Sequence, residues 1–136
     1  MTTQLIFTEE FQYRDDEEDV TIPVTLDYGS KSAIVSAKVD TGAAVCLFTH
    51  EVGLLLGVPI EQGIPIVLSG VGGGLLDAFG HEVALQTGAL SFHSTVYFAK
   101  YPGLPRNFLG RRGWLRNIKL ALIDYDNLLY LGAYDS

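Results

Sequence analysis

Apolar positions recur with period two along most of the chain, and glycines punctuate the runs. Val20, Ile22, Val24 and Leu26 alternate with Thr21, Pro23, Thr25 and Asp27, the pattern of a strand with one buried face. Pro23 has no N–H for a ladder and so indicates an edge position or a bulge. Tyr28-Gly29-Ser30-Lys31 reads as a hairpin turn into a second strand over 33–39. Further strands are predicted over 64–69, 82–86, 90–98 and 118–124. A last one, over 128–131, follows a turn at Asp126-Asn127 and ends at Gly132. Thr49 can cap a short helix running to about Leu56, with Gly57 suited to the position just past its end. Residues 111–117 predict a second short helix. Many short strands with two short helices indicate a mostly β barrel or sandwich. There is no repeat of solenoid length, although an apolar strand twice runs into a glycine and a short helix, at Gly42 and at Gly110.

Composition narrows the class. At 136 residues and 14.8 kDa the chain has room for one domain spanning 1–136, and 48% hydrophobic against 18% charged residues excludes a disordered chain. The longest apolar stretch, 52–60, has nine residues including two glycines, far short of the roughly 20 that cross a bilayer. No basic segment precedes an apolar core near Met1, so no signal peptide is expected. These features together predict a soluble, cytoplasmic protein with no membrane partner. A single cysteine, Cys46, excludes an internal disulfide and a cysteine-rich zinc site. His50, His81 and His93 lack the i,i+4 spacing of a helical metal pair, so neither a metal nor a cofactor is expected.

The net charge of −7 is unevenly distributed. Residues 1–27 hold eight acids and one base, whereas 28–136 hold eight of each. The excess therefore sits on an acidic N-terminal arm, 1–19, chiefly in the run 15–19. Such a run reads as a solvated loop, since like charges resist burial. An acidic protein repels phosphate backbones, which argues against a nucleic-acid partner.

The candidate chemistry begins where the strand over 33–39 empties into Asp40-Thr41-Gly42-Ala43. An Asp at the end of an apolar strand, followed by a hydroxyl and a glycine, suits a buried carboxylate in a tight turn. Alone the tripeptide is weak, because it arises by chance roughly a few times per hundred chains of this length. Two further segments accompany it. Asn107-Phe108-Leu109-Gly110-Arg111 precedes Trp114-Leu115, and between the two signatures lies Ser69-Gly70-Val71-Gly72-Gly73-Gly74. The glycine-rich segment lacks the Gly-Lys-Ser/Thr ending of a P-loop, which disfavours phosphate binding.

In order, spacing and size, these motifs resemble the retropepsin-like (retroviral-type) branch of the aspartic proteases, over roughly residues 20–134. Asp40-Thr41-Gly42-Ala43 matches the active-site loop and Asn107–Arg111 the second signature, which in that family leads into a C-terminal helix. Residues 70–74 fall where the family carries its flap. The resemblance implies a small, closed, all-β barrel of retropepsin type with a flap hairpin and one or two short helices. It also implies an aspartic endopeptidase acting on a peptide or protein substrate. With one Asp-Thr-Gly per chain, the chemistry requires a homodimer in which two copies of Asp40 meet on a two-fold axis. As in aspartic proteases generally, two such carboxylates about 3 Å apart share a proton, one serving as base toward water and the other as acid. Thr41 is implied to bond across the dimer, Gly42 N–H to donate to the carboxylate, and Gly70, Val71, Gly72, Gly73 and Gly74 to cover the substrate. Ala44 departs from the pattern, standing where many relatives have a Ser or Thr that supports the carboxylate's outer oxygen. The alternative reading is a catalytically silent module of the same fold, used for dimerisation or peptide docking.

The other conspicuous residues have plainer readings. Cys46 is expected as a small buried hydrophobe, and the three histidines as surface or turn residues. Trp114 is expected on the apolar face of the last helix, Arg111 partly buried, and Arg112 exposed. Leu75 and Leu76 are expected to pack within the flap.

Overall fold

The computed structural model describes residues 1–71 and 73–136. Its strands are β1 (Glu9–Gln12), β2 (Thr21–Tyr28), β3 (Lys31–Val39), β4 (Leu47–Phe48), β5 (Ile64–Val71), β6 (Gly74–Thr87), β7 (Leu90–Ala99), β8 (Asn107–Leu109), β9 (Ile118–Ile123) and β10 (Leu128–Ala133). One short helix, α1 (His50–Leu55), lies between β4 and β5. No helix among the described residues is long and apolar enough to cross a membrane.

The strands β2, β3, β8, β4, β7 and β6 follow one another in hydrogen-bonded order, and β6 pairs back onto β2, which closes a barrel. Alternation along β2 explains its place: Ile22, Val24 and Leu26 point inward and are buried, while their neighbours face out. Val83 and Leu85 of β6 meet Val96 and Phe98 of β7 in the same core. Pro23 falls where β2 pairs with Ser36 of β3, outside the β2–β6 contact at Thr25–Asp27, so its missing donor faces no partner. Gly29 at φ +59 makes the two-residue turn between β2 and β3. Thr49 caps α1 by accepting a bond from Val52 N, and Gly57 follows at φ +71.

Strand β6 is far longer than the 82–86 predicted, because its first half pairs with β5 in a hairpin that extends from the barrel. Its outer half contains Asp77 and Gly80, which blur the period-two signal. The short strands β4 and β8 are too brief for any periodicity to reveal them. Both are held by pairing to longer neighbours, β4 to Tyr97-Phe98 and β8 to Ala37–Val39.

The acidic arm is only partly a solvated loop. Residues 14–18 are exposed, but β1 pairs antiparallel with β10, which pairs with β9 in a separate three-stranded sheet. Phe11 packs on the core and Tyr13 is buried, its hydroxyl donating to Asp124 Oδ1 at 2.5 Å. Glu9 Oε1 accepts a bond from Ala89 N at 2.7 Å and ties the arm to the β6–β7 turn. Alternation of apolar residues within an acidic context was the signal that charge obscured.

The predicted helix over 111–117 does not form. Only a 3-10 turn, Leu115–Asn117, appears, and the chain returns as the β9–β10 hairpin. Gly113 sits at φ +99, a left-handed conformation that no right-handed helix can contain, while the N–H groups of Arg111 and Arg112 reach the carbonyls of Ala43 and Ala44. Arg111 is exposed rather than partly buried, as is Arg112. Trp114 is fully buried at this turn, not on a helix face, and its indole N–H donates to the Thr87 hydroxyl at 3.2 Å.

Replacing Trp114 with Phe removes core volume and leaves the buried Thr87 hydroxyl without its donor. The expected loss is about 2–3 kcal/mol, read as a lower urea midpoint at unchanged slope. An unchanged midpoint would show that the indole contributes little.

Candidate active site

The loop after β3 is held from both sides. Asp40 N donates to Leu109 O at 2.9 Å, extending the parallel β3–β8 pairing by one step. Ala43 N then donates to Asp40 O at 3.1 Å and closes a tight turn, within which Gly42 N donates to Asp40 Oδ1 at 3.1 Å. On the far side, Arg111 N donates to Ala43 O at 2.8 Å and Arg112 N to Ala44 O at 3.0 Å.

Gly110 stands at the crossing of these two segments. A Cβ there would lie 2.1 Å from Val45 O and 2.8 Å from Ala43 O, so the approach requires a glycine. Its N–H donates to the Cys46 sulfur at 3.4 Å. Asn107 contributes a second brace that the sequence reading did not assign. Its amide donates to Ser36 O at 3.0 Å and accepts from Thr49 N at 3.0 Å, so β3, β8 and the cap of α1 are joined through one buried side chain. An asparagine at the start of a strand-like motif was the available signal; its partners are distant in sequence.

Asp40, Gly42, Ala43 and Ala44 form the floor of an open cleft of about 1190 Å³. Its roof is the β5–β6 hairpin, through Val67–Gly70 and Leu75–Asp77, and one side is the loop 101–106. The hairpin changes register between Ser69 and Val71, and Gly70 and Gly73 take φ +86 and +83. Of the expected flap residues, Gly70 lines the cleft, while Gly73 and Gly74 are exposed beyond it. Val71 is within β5, and Gly72 lies outside the described residues. Leu75 and Leu76 both line the cleft; Leu75 is 78% exposed, so it does not pack within the hairpin as expected, while Leu76 is half-buried. Thr41 is exposed at the apex of the loop, outside the cleft lining.

Cys46 is buried directly behind this loop. Burial pushes its thiol up to about 11, partly opposed by the bond with Gly110. His81, expected at the surface, is half-buried: its Nε2 lies 2.9 Å from Ile60 O and its ring packs near Phe98 and Tyr28.

The Cys46 thiol is therefore protonated at neutral pH, and it should resist an aromatic disulfide reagent at pH 8 until denaturant is added. A folded-state value above the ordinary 9.0 gives a contribution to stability that is complete below about pH 9 and lost as pH rises through about 11. Cys46→Ala should flatten that part of the alkaline limb relative to wild type. Rapid native labelling at pH 8 would contradict the buried placement.

No family model matches the sequence, and no curated protein sequence matches it. Solved structures do. A retropepsin-like aspartic protease from Rickettsia conorii superposes with a TM-score of 0.69 at 18% identity, over 90% of this chain and 98% of that one. The EIAV protease, in complex with the inhibitor HBY-793, gives a TM-score of 0.55 at 20% identity, over 73% of this chain and 88% of that one. A six-stranded closed barrel, a hairpin projecting over the loop after β3, and these two likenesses lead to one conclusion: the chain has the retropepsin-like fold.

Proposed function

We propose that the chain is an aspartic endopeptidase that works as a homodimer and hydrolyses peptide bonds of an extended peptide or protein substrate. The observation that carries this reading is the Asp40 carboxylate, presented from a braced turn into the cleft beneath the β5–β6 hairpin. A carboxylate so placed can take a proton from water, but cleavage also needs an acid for the carbonyl and the departing amine. Asp77 is the other carboxylate among the described cleft residues. It stands on β6, paired with Val67, without the turn that presents Asp40. A second copy of the chain supplies the missing group most simply, with Asp40 of each protomer meeting on a two-fold axis.

In such a pair the two carboxylates hold one proton between them. The ionised member draws a proton from the attacking water as the water oxygen bonds to the peptide carbon. The protonated member donates to the carbonyl oxygen, and collapse of the tetrahedral species passes a proton to the amine. The Gly42 N–H keeps one oxygen of Asp40 oriented throughout. The hairpin supplies backbone for strand-like binding of substrate and excludes water when closed. Thr41, exposed beside Asp40, is assigned to the contact between the two loops.

Asp40→Asn should preserve the fold and the dimer while lowering cleavage of a peptide library by about 10³-fold. Equal cleavage by wild type and variant would overturn the role of Asp40. Sedimentation equilibrium of the wild type should give a dimer across micromolar concentrations, and a monomer throughout would overturn the shared site.

A further inference from the structure

Period two along β3 puts Lys38 on the same face as Asp40, and period two along β8 puts Arg106, just before the strand, on the same face as Phe108. The parallel register sets Lys38 directly beside Phe108, so Lys38, Phe108 and Arg106 form one patch of the cleft wall that continues from the floor at Asp40. Lys38 Nζ lies 5.9 Å from the centre of the Phe108 ring. Asp19, at the end of the acidic arm, pairs with both cations: its carboxylate is 3.5 Å from Lys38 Nζ and also bonds the Arg106 guanidinium. Two positive charges thus share one carboxylate, and all three side chains are held in place beside the candidate catalytic group.

We infer that Lys38 and Arg106 form a subsite for an acidic side chain of the substrate, with Asp19 as the positioning residue that orients both cations and leaves one positive charge facing the cleft. The inference rests on the endopeptidase reading for its substrate and names the specificity of that same site. The flap side of the cleft differs. Asp77 lines the cleft there, and the nearby Lys100 directs its ammonium to Glu61 at 3.6 Å, so the cleft is polarised rather than uniformly positive. Acidic preference is therefore confined to one position in each half of the cleft. Because a two-fold dimer repeats the wall, the preference appears at equivalent positions on both sides of the cleaved bond.

The test uses the full chain and randomised octapeptide libraries in which each position in turn is fixed as Glu or Gln, read both by cleavage and by binding. Glu should exceed Gln about fivefold at one position per half-site, weakening as salt is raised. Lys38→Met/Arg106→Gln should abolish the difference. Arg106→Glu, which leaves the Lys38–Asp19 pair intact, should invert it toward Lys and guards against misfolding of the double variant. Cleavage that depends on Asp40 without a Glu preference overturns the subsite and leaves the protease standing. Absence of cleavage with a Glu preference in binding, lost in the double variant, does the reverse. Neither signal overturns both.

Discussion

Gly110 has no room for a side chain because the carbonyls of Val45 and Ala43 occupy the space that a Cβ would need. That close approach lets the strand carrying Asn107–Leu109 run beside β3 and continue past it, so that Leu109 O receives Asp40 N and the next two N–H groups reach back to Ala43 and Ala44. The loop bearing Asp40 is thereby written into the hydrogen bonding of the barrel instead of hanging from its end. Burial of Cys46, Leu109 and Trp114 behind it excludes water from the crossing, where each backbone bond is worth more than it would be at the surface.

The rest of the architecture follows from where pairing stops. Strand β6 pairs with β7 from Ala78 onward and with β2 at Ala84–Gln86, which closes the barrel, but its outer end, 74–77, finds only β5 as a strand partner. A two-stranded ribbon with few partners opens more readily than the barrel wall, which suits a cover over a cleft. At the opposite extreme of sequence, β1 completes the sheet of β9 and β10 and is stapled to the β6–β7 turn by Glu9. The acidic arm then crosses toward Lys38 and Arg106, so the same segment contributes to the core at Tyr13 and to the cleft wall at Asp19.

Much of the barrel was legible in the sequence because half-buried strands leave an alternating trace. Residues 20–27, 33–39 and 90–98 show it clearly, and each is a strand. Thr49 and Gly57 marked the ends of α1 through cap chemistry, which is local. The failures share a cause. Strands β4 and β8 have two and three residues and exist through pairing alone, and β1 lies in an acidic context that suggests solvent. The 111–117 segment is broken by Gly113 at φ +99, and its first two N–H groups bond the loop after β3, a contact about 70 residues away that no local pattern reports. At the candidate site, the turn around Asp40 was readable from Asp-Thr-Gly. The brace through Asn107 and the pairing of Asp19 with Lys38 and Arg106 depend on long-range placement.

The rigidity of the Asp40 loop bears on the proposed partner. Four backbone bonds, with the Gly42 N–H bond to the Asp40 carboxylate, fix residues 40–44 between β3 and β8, yet Thr41 and Gly42 at the apex remain exposed. In a protein that acted alone, an exposed turn would gain little from such bracing, since its surroundings would not depend on its geometry. For a site assembled from two copies the bracing matters, because each loop must present its carboxylate to the other within tenths of an ångström. Ordering done in the folded protomer is not repeated on association, so less of the contact energy between two small loops is lost to conformational entropy. The same economy applies to the wall formed by Lys38, Phe108 and Arg106. It stands on the two strands that hold the loop, so a side chain received by that wall would be held in fixed register with Asp40.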